Sequence, residues 1–320
     1  MLRLGRFNRE DSGTALSTQH SALGTMINER LDLLREALPY IQRFKNNIFV
    51  VKLSGKVTED QEQLNSLAEE ITLLQQVGIH VAVIHGGGKQ LTTVAERLGI
   101  AQRIVNGRRV TDTETLEVAK MVFAGQINLD ILSALRRSGC ETVGLSGIDG
   151  NTIRAKRREI QDVLNQETGE VETIDFGHVG DIVEISVRLL KLLLENGYVP
   201  VMSSLGADEQ GNIYNINADT IAAEIAVHLQ AEKLILLTDV DGILLDRHDP
   251  SSRLSRLTAD EAERLVRERV VSSGMLPKIA AIAHLIRRGV RSAHIINGSK
   301  RNALLHEVFT DEGAGTMITN

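Results

Sequence analysis

The chain has 320 residues, 42% of them hydrophobic and 24% charged, which suits one large α/β domain or two fused lobes and excludes a disordered or fibrous chain. Lys and Arg number 36 against 42 Asp and Glu, a net charge of −6; with 3% aromatics and no Trp, the basic surplus and stacking surface of a nucleic-acid binder are missing. The single cysteine, Cys140, excludes an intrachain disulfide and a zinc site of paired thiolates. No apolar run reads as long enough to cross a bilayer. The opening stretch Met1–Gly13 has arginines but no apolar core, and Glu10 and Asp11 argue against a transit peptide, so a cytoplasmic location without a membrane partner is expected.

Residues 1–24 are polar and lack apolar periodicity, the pattern of a flexible arm. Ile27, Leu31, Leu34, Leu38 and Ile41 then make a narrow heptad-like stripe between charged residues. That stripe fits a helix lying on its own domain or one packed on another subunit. Ile48–Lys52 reads as a buried strand. Asp60–Val77 reads as a helix with Leu64, Leu67, Ile71, Leu74 and Val77 on one face, closed by Gly78, and Ile79–Ile84 as a second strand. A glycine run leads into a helix from Lys89 to Leu98, and the polar stretch Ile153–Val179 reads as hairpin insertions. Further on come helix Leu189–Glu195, strand Val199–Ser203, helix Ala218–Leu229, strand Leu234–Thr238, helix Pro277–Arg288 and strand Ala293–Ile296. Near-continuous apolar strands alternating with amphipathic helices predict an α/β fold, an open, mainly parallel β-sheet between helix layers, with two lobes meeting near Gln230.

His85-Gly86-Gly87-Gly88 lies between a strand and a helix, where backbone N–H groups and the helix dipole favour an anion; a tight turn requiring positive φ is the plainer alternative. The hydrolase oxyanion loop of similar sequence needs a Gly-x-Ser-x-Gly elbow, and none exists. Gly55-Lys56 and Gly88-Lys89 lack the Ser or Thr of a Walker loop, and no dinucleotide fingerprint follows the first strand. Lys52 ends the first strand, at the edge of a doubly wound sheet where ligands collect; it meets an anion there or merely snorkels. In Asn106-Gly107-Arg108-Arg109 the two arginines leave a turn on opposite faces, so at most one can line a pocket and clamp a carboxylate; a solvated surface pair is the plainer alternative. Asn215, Asn217 and Asp219 stand at alternate positions before a helix, as N-caps or as a polar cluster. Lys278, beside Pro277 at a helix start, opposes the dipole unless an anion offsets it. Together these groups suit phosphoryl transfer, which rests on positioning and charge stabilisation.

With those residues in order, residues 25–319 or so resemble the amino acid kinase family, and within it the acetylglutamate kinases. The pieces are Val51-Lys52-Leu53-Ser54-Gly55, His85-Gly86-Gly87-Gly88, Asn106-Gly107-Arg108-Arg109-Val110-Thr111, Asn215-Ile216-Asn217-Ala218-Asp219, Thr238-Asp239-Val240-Asp241-Gly242 and Gly274-Met275 with Lys278. The resemblance implies an N-lobe, 46–230, for the acyl amino acid and a C-lobe, 231–320, for ATP, after an arm and oligomerisation helix, 1–45. It implies ATP-dependent phosphorylation of the γ-carboxylate of N-acetyl-L-glutamate, the second step of arginine biosynthesis, with Mg2+ bridging the ATP phosphates. By that likeness Lys52 and Lys278 stabilise the transferring group and Asp219 orients both. Gly86 and Gly87 offer N–H groups, Arg109 holds the substrate carboxylate with Asn215, and Gly55, Asp239, Gly242, Leu244 and Ser272 border the nucleotide.

Leu38-Pro39-Tyr40-Ile41 and the tail from Ala293 to Thr316 resemble the arginine-sensitive subgroup, whose helix interlaces dimers into a hexamer. The likeness implies inhibition by arginine at Tyr40, His294, Glu307 and Gly313, with Lys233 nearby, and allows a PII-type partner. Ser54, where acetylglutamate kinases usually have glycine and where the loop resembles that of uridylate kinases, and Lys56 and Lys89, where small, polar or Pro residues are common, depart from the pattern. The alternatives are a family kinase for carrier-linked aminoadipate or UMP, and a non-catalytic arginine-sensing domain, which would have lost the lysines or the aspartate.

Overall fold

The computed structural model describes residues 35–164, 170–246, 249–268 and 276–320. Residues up to Arg43 form one unit and Phe44–Asn320 another. In the first, residues 35–43 are helical and Leu38 is exposed. The expected arm and the stripe residues Ile27, Leu31 and Leu34 lie outside the described residues.

The second unit is built on an eight-stranded sheet. Its strands in chain order are β1 (Ile48–Leu53), β2 (His80–His85), β3 (Thr142–Leu145), β4 (Val199–Ser203), β5 (Lys233–Thr238), β6 (Arg256–Thr258), β7 (Ser292–Asn297) and β8 (Thr316–Thr319). Across the sheet they run β6-β8-β7-β5-β1-β2-β4-β3. β1, β2, β3, β4, β5 and β7 are parallel, and β8 returns antiparallel to β7. In β1, Phe49, Val50 and Val51 are fully buried, as expected where helices cover both faces. The sheet is continuous through the β1–β5 pairing, in which Val50 stands opposite Leu234.

Helix α1 (Gln61–Gln76) connects β1 to β2. The Asp60 carboxylate accepts from the Glu62 and Gln63 N–H groups at 2.9 and 3.1 Å, and Gly78, at φ 92°, turns the chain out of the last turn. Leu64, Leu67, Ile71 and Leu74 are its buried face, as the spacing predicts. The insertion between β3 and β4 is indeed hairpins: Gln161–Leu164 pairs antiparallel with Val171–Ile174, and Ile153–Arg157 with Gly180–Ile185. The latter pair joins Leu205–Ala207 and Ile213–Asn215 in a four-stranded sheet.

One long helix, α3, goes beyond what the sequence pattern predicts. Thr113–Arg137 runs continuously for 25 residues, with helix α2 (Gly88–Arg97) before it in the chain. By length and mean composition it passes for a membrane-crossing helix, although Glu114, Glu117, Lys120 and Asp130 interrupt it and no continuous apolar run of that length exists in it. Half of that window is buried inside the protein, and Val122, Phe123, Ile127, Ile131 and Leu135 pack in the core, so here it behaves as a core helix. Lys120–Ile127 is a π-helical stretch, the wide turn often found beside functional sites.

Candidate active site

In an open parallel sheet, ligands gather beyond the carboxyl ends of the strands. Here those ends deliver Lys52 and Leu53 from β1, His85 from β2, Ser203 from β4, Thr238 from β5 and Asn297 from β7. Above them starts α4 (Ala218–His228). Its cap is Asn217, whose side chain accepts from Thr220 N–H at 3.0 Å, and Asp219 stands in its first turn. The Lys52 ammonium lies 2.8 Å from the Asp219 carboxylate, with the two side chains 14% and 34% exposed. Three polar residues at alternate positions thus do three different jobs. Asn217 caps, Asp219 holds the lysine, and Asn215 donates to the Thr111 hydroxyl at 3.1 Å.

The glycine loop abuts this pair. A Cβ on Gly86 would lie 3.3 Å from the Ala218 Cβ, next to Asp219. Gly87 is required by close packing: a Cβ there would overlap Ile127 Cδ1 and press at 3.0 Å on Phe123, both in the π-helical part of α3. Its φ of 165° is ordinary extended backbone, so space, not conformation, excludes a side chain. His85 is fully buried; its Nδ1–H donates to the Gly86 carbonyl at 2.9 Å, while Nε2 accepts from Asn128 Nδ2 at 3.1 Å. The second N–H of that amide goes to the Val201 carbonyl at 3.0 Å. Burial pushes His85 down to about 4, so it is neutral in the tautomer these bonds require. Sequence reasoning singles out neither His85 nor Asn128 as a supporting pair; a polar contact across 43 residues leaves no local pattern.

Arg109 is the arginine that faces inward, and Arg108 the one that faces solvent. The hairpin turn is Asn106-Gly107, both at positive φ, as the dipeptide predicts. The Arg109 guanidinium donates to the Gly88 carbonyl at 2.8 Å, to the Thr92 hydroxyl at 2.7 Å and to Gln102 Oε1. It is therefore tied to the first turn of α2, and desolvation lowers its pKa.

Three serines near strand ends carry buried hydroxyls without a hydrogen-bond partner: Ser54 after β1, Ser203 closing β4 and Ser299 after β7. Gln90, in the first turn of α2, donates to the Gly55 carbonyl at 3.0 Å and to Thr58 Oγ1 at 2.8 Å, while its own Oε1 is also buried and unpartnered. Orphaned polar atoms are costly and uncommon, and these four lie at or just beyond the carboxyl edge of the sheet. On the β5 side, Asp239 is exposed and Leu244 pairs with Arg253. Gly242 packs, at φ 124°, on Thr316, where no side chain would fit. Asp241, low in pKa through Lys300 at 2.9 Å and Asn297 at 2.7 Å, ties this loop to the end of β7. Lys278 is half-buried in the first turn of α5 (Leu276–Arg287). Ser272, with Gly274 and Met275, lies outside the described residues.

Of the residues expected to bind arginine, His294 and Glu307 come together with Lys233 in a buried cluster, and half-buried Gly313 lies against the Glu307 carboxylate. His294 Nδ1–H donates to Glu307 Oε1 at 2.5 Å, and its Nε2 faces Lys233 Nζ at 3.1 Å and Ser292 Oγ at 2.9 Å. Burial, and then the Lys233 charge, push His294 down to about 4. Burial raises the Glu307 carboxyl, but hydrogen bonds from His294, Ala314 and Gly315 outweigh it and leave the pKa low. Lys233 also sits 5.0 Å above the Phe44 ring. Tyr40 belongs to the other unit.

A parallel sheet whose carboxyl edge gathers a lysine–aspartate pair, a glycine loop and unsatisfied hydroxyls defines a phosphotransferase of the open α/β type. A model of the amino acid kinase family matches residues 47–297, and this chain belongs to that family. It is 46% identical over 291 residues to an acetylglutamate kinase of Methanocaldococcus jannaschii, covering 91% of this chain and 96% of the relative. An acetylglutamate kinase of Thermosynechococcus vestitus is 44% identical, with 91% and 94% covered. A solved N-acetylglutamate synthase from Neisseria gonorrhoeae, complexed with coenzyme A and N-acetyl-glutamate, superposes with TM-score 0.77 at 31% identity over 91% of this chain; the chain spans 63% of that protein. Another structure of the synthase, with coenzyme A and L-arginine, superposes with TM-score 0.74 at 29% identity, covering 90% of this chain and 65% of that one.

Proposed function

We propose that the chain transfers the γ-phosphoryl group of ATP to the γ-carboxylate of N-acetyl-L-glutamate, giving N-acetyl-L-glutamyl 5-phosphate and ADP in arginine biosynthesis. The observation that carries this is the 2.8 Å Lys52–Asp219 pair beside the Gly86–Gly87 loop, in a chain 46% identical to an acetylglutamate kinase. Both reactants are anions. At about 4 Å a pair of unit charges interacts by ~1 kcal/mol in water and ~4 kcal/mol at an effective dielectric of about 20, so cations must be in place before the reactants meet.

Lys52, held by Asp219, supplies one such cation. Lys278, at a helix start where a positive charge is unfavourable until an anion arrives, supplies the second, and Asp219 orients it as well. Gly86 and Gly87 present N–H groups without a side chain in the way. Three N–H groups of Arg109 are committed to α2 and Gln102, which leaves Nε–H and one Nη1–H for the substrate carboxylate, beside Asn215. Gly55, Asp239, Gly242, Leu244 and Ser272 border the nucleotide. Magnesium would come with ATP, neutralising charge on its phosphates, and needs few direct protein ligands.

In our reading 46–230 binds the acyl amino acid and 231–320 the nucleotide. The enzyme is cytoplasmic, and the helix ending near Phe44 builds a hexamer of three dimers. Arginine inhibits through Tyr40, Lys233, His294, Glu307 and Gly313, a role supported by the buried, hydrogen-bonded set Lys233, His294 and Glu307, with Gly313 against the Glu307 carboxylate. The test is ADP release with and without N-acetyl-L-glutamate, alongside UMP and aminoadipate derivatives, repeated with added arginine. Turnover with UMP or an aminoadipate derivative in place of N-acetyl-L-glutamate would reassign the substrate, and no turnover at all would leave only a sensor.

A further inference from the structure

Ser54 has no role in the account so far. It lies two residues beyond Lys52, at φ −77° and ψ 154°, so the chain is still extended there. In extended chain, side chains alternate between faces, and Leu53 is buried on the opposite face. Ser54 therefore projects to the side on which Lys52 meets Asp219.

Its hydroxyl is buried and makes no hydrogen bond. Ser54 occupies the cap position of the short helix Gly55–Glu59, a place where serine ordinarily satisfies a backbone N–H, yet its side chain caps nothing. The neighbouring Gly55 lies against Gln90, in the first turn after the glycine loop: a Cβ on Gly55 would be 3.2 Å from Gln90 Oε1. The hydroxyl thus lies on the short segment between Lys52 and the Gly55–Gln90 contact, buried and without a hydrogen-bond partner.

We propose that Ser54 Oγ–H donates a hydrogen bond to a non-bridging oxygen of the phosphoryl group in transit. This rests on the kinase reading above. The substrate γ-carboxylate oxygen forms the new bond to phosphorus, and the bond from phosphorus to the β–γ bridging oxygen breaks, its electron pair leaving with ADP. Ser54 keeps its proton throughout and forms no covalent bond. It becomes satisfied only when the phosphoryl group is present, which makes it a contributor to turnover rather than to the stability of the free enzyme.

The experiment compares the full chain with Ser54→Ala and Ser54→Gly by steady-state ADP release with N-acetyl-L-glutamate and MgATP, and by thermal melts without nucleotide. Loss of a hydrogen bond to a charged oxygen is expected to lower kcat by about 10- to 100-fold. KM for the amino acid should change less than about twofold, because the bond is made in the transition state. Tm without nucleotide should stay the same or rise, since an unsatisfied buried group has been removed. Ser54→Thr, which keeps the hydroxyl, should recover most of the rate. Wild-type kcat in both truncating variants overturns the proposal and leaves the kinase reading intact. A kcat loss accompanied by a lowered Tm overturns it in favour of a structural role. An inactive wild-type chain overturns both.

Discussion

Gly87 offers a sharp test of how the site is supported. A methyl group there would overlap Ile127 Cδ1 and crowd Phe123 at 3.0 Å, and both neighbours are almost fully buried. The backbone itself has no objection, at φ 165°. Gly87→Ala is therefore an overpacking change, costing about 1–3 kcal/mol. Ile127→Val removes the offending Cδ1 and by itself costs about 0.5–1.5 kcal/mol. If the two sites were independent, the double variant would lose the sum, about 1.5–4.5 kcal/mol. The space vacated by shortening Ile127 is, however, the volume that the new methyl requires. The double variant should therefore lose no more than about 1 kcal/mol, a coupling of about 0.5–3.5 kcal/mol.

Urea unfolding of the four proteins measures this coupling directly, and each kcal/mol corresponds to about 1.5 °C in Tm for a chain of this length. The rate supplies a second measure. Displacing the loop should lower kcat by at least about tenfold, since misplacement of aligned groups is costly even at small distances, and Ile127→Val should restore part of it. Additive free energies, within about 0.5 kcal/mol, would refute the packing explanation of this glycine. A stable Gly87→Ala with a damaged kcat would instead assign it to ligand approach alone.

Lys52→Ala and Lys278→Ala are each expected to lower kcat by about 10²–10³, the effect of removing one preorganised charge or donor; near-normal turnover in folded protein would take that lysine out of the mechanism. His85 and His294 are neutral in the fold, both pushed down to about 4 by burial, and titrate near ~6.5 when unfolded. Between those values the unfolded chain holds more protons, so stability present above pH ~6.5 is lost as pH falls, by up to ~3 kcal/mol per histidine near pH ~4. Glu307, low in pKa, adds to the loss at the acid end, while Glu70, raised by burial, opposes it. A flat Tm from pH ~6.5 to ~5 would contradict buried neutral imidazoles. Glu70 itself accepts from the N–H groups of Asn302, Leu304 and Leu305 at the start of α6 (Ala303–Phe309). Glu70→Ala should cost about 3 kcal/mol by stranding them, and Glu70→Gln about half as much; equal melts for the three proteins would count against it.

What was legible in the sequence follows from the range of the interactions involved. The strands of the parallel sheet, buried on both faces, announce themselves as apolar runs, and Asn106-Gly107 announces a turn, whereas which of the next two arginines looks inward is read only from the resemblance and the fold. Helix α3 escapes pattern reading because its π-helical stretch, Lys120–Ile127, breaks the 3.6-residue period just where Phe123 and Ile127 reach the glycine loop. The turn of sequence that hides the helix is the one that supports the site. Close approach of distant side chains has the same property. Gly87 reads as a phosphate glycine or a turn glycine, but its Cβ position is claimed by a helix that starts 26 residues later in the chain. Asn128 reads as an unremarked helical amide until it is found holding His85, and with it the Gly86 carbonyl. The ligand-facing groups of this site could be nominated from local pattern and resemblance, whereas the groups that hold them rigid are joined only by the fold. A variant series confined to the nominated residues would therefore measure the chemistry and miss the preorganisation on which that chemistry depends.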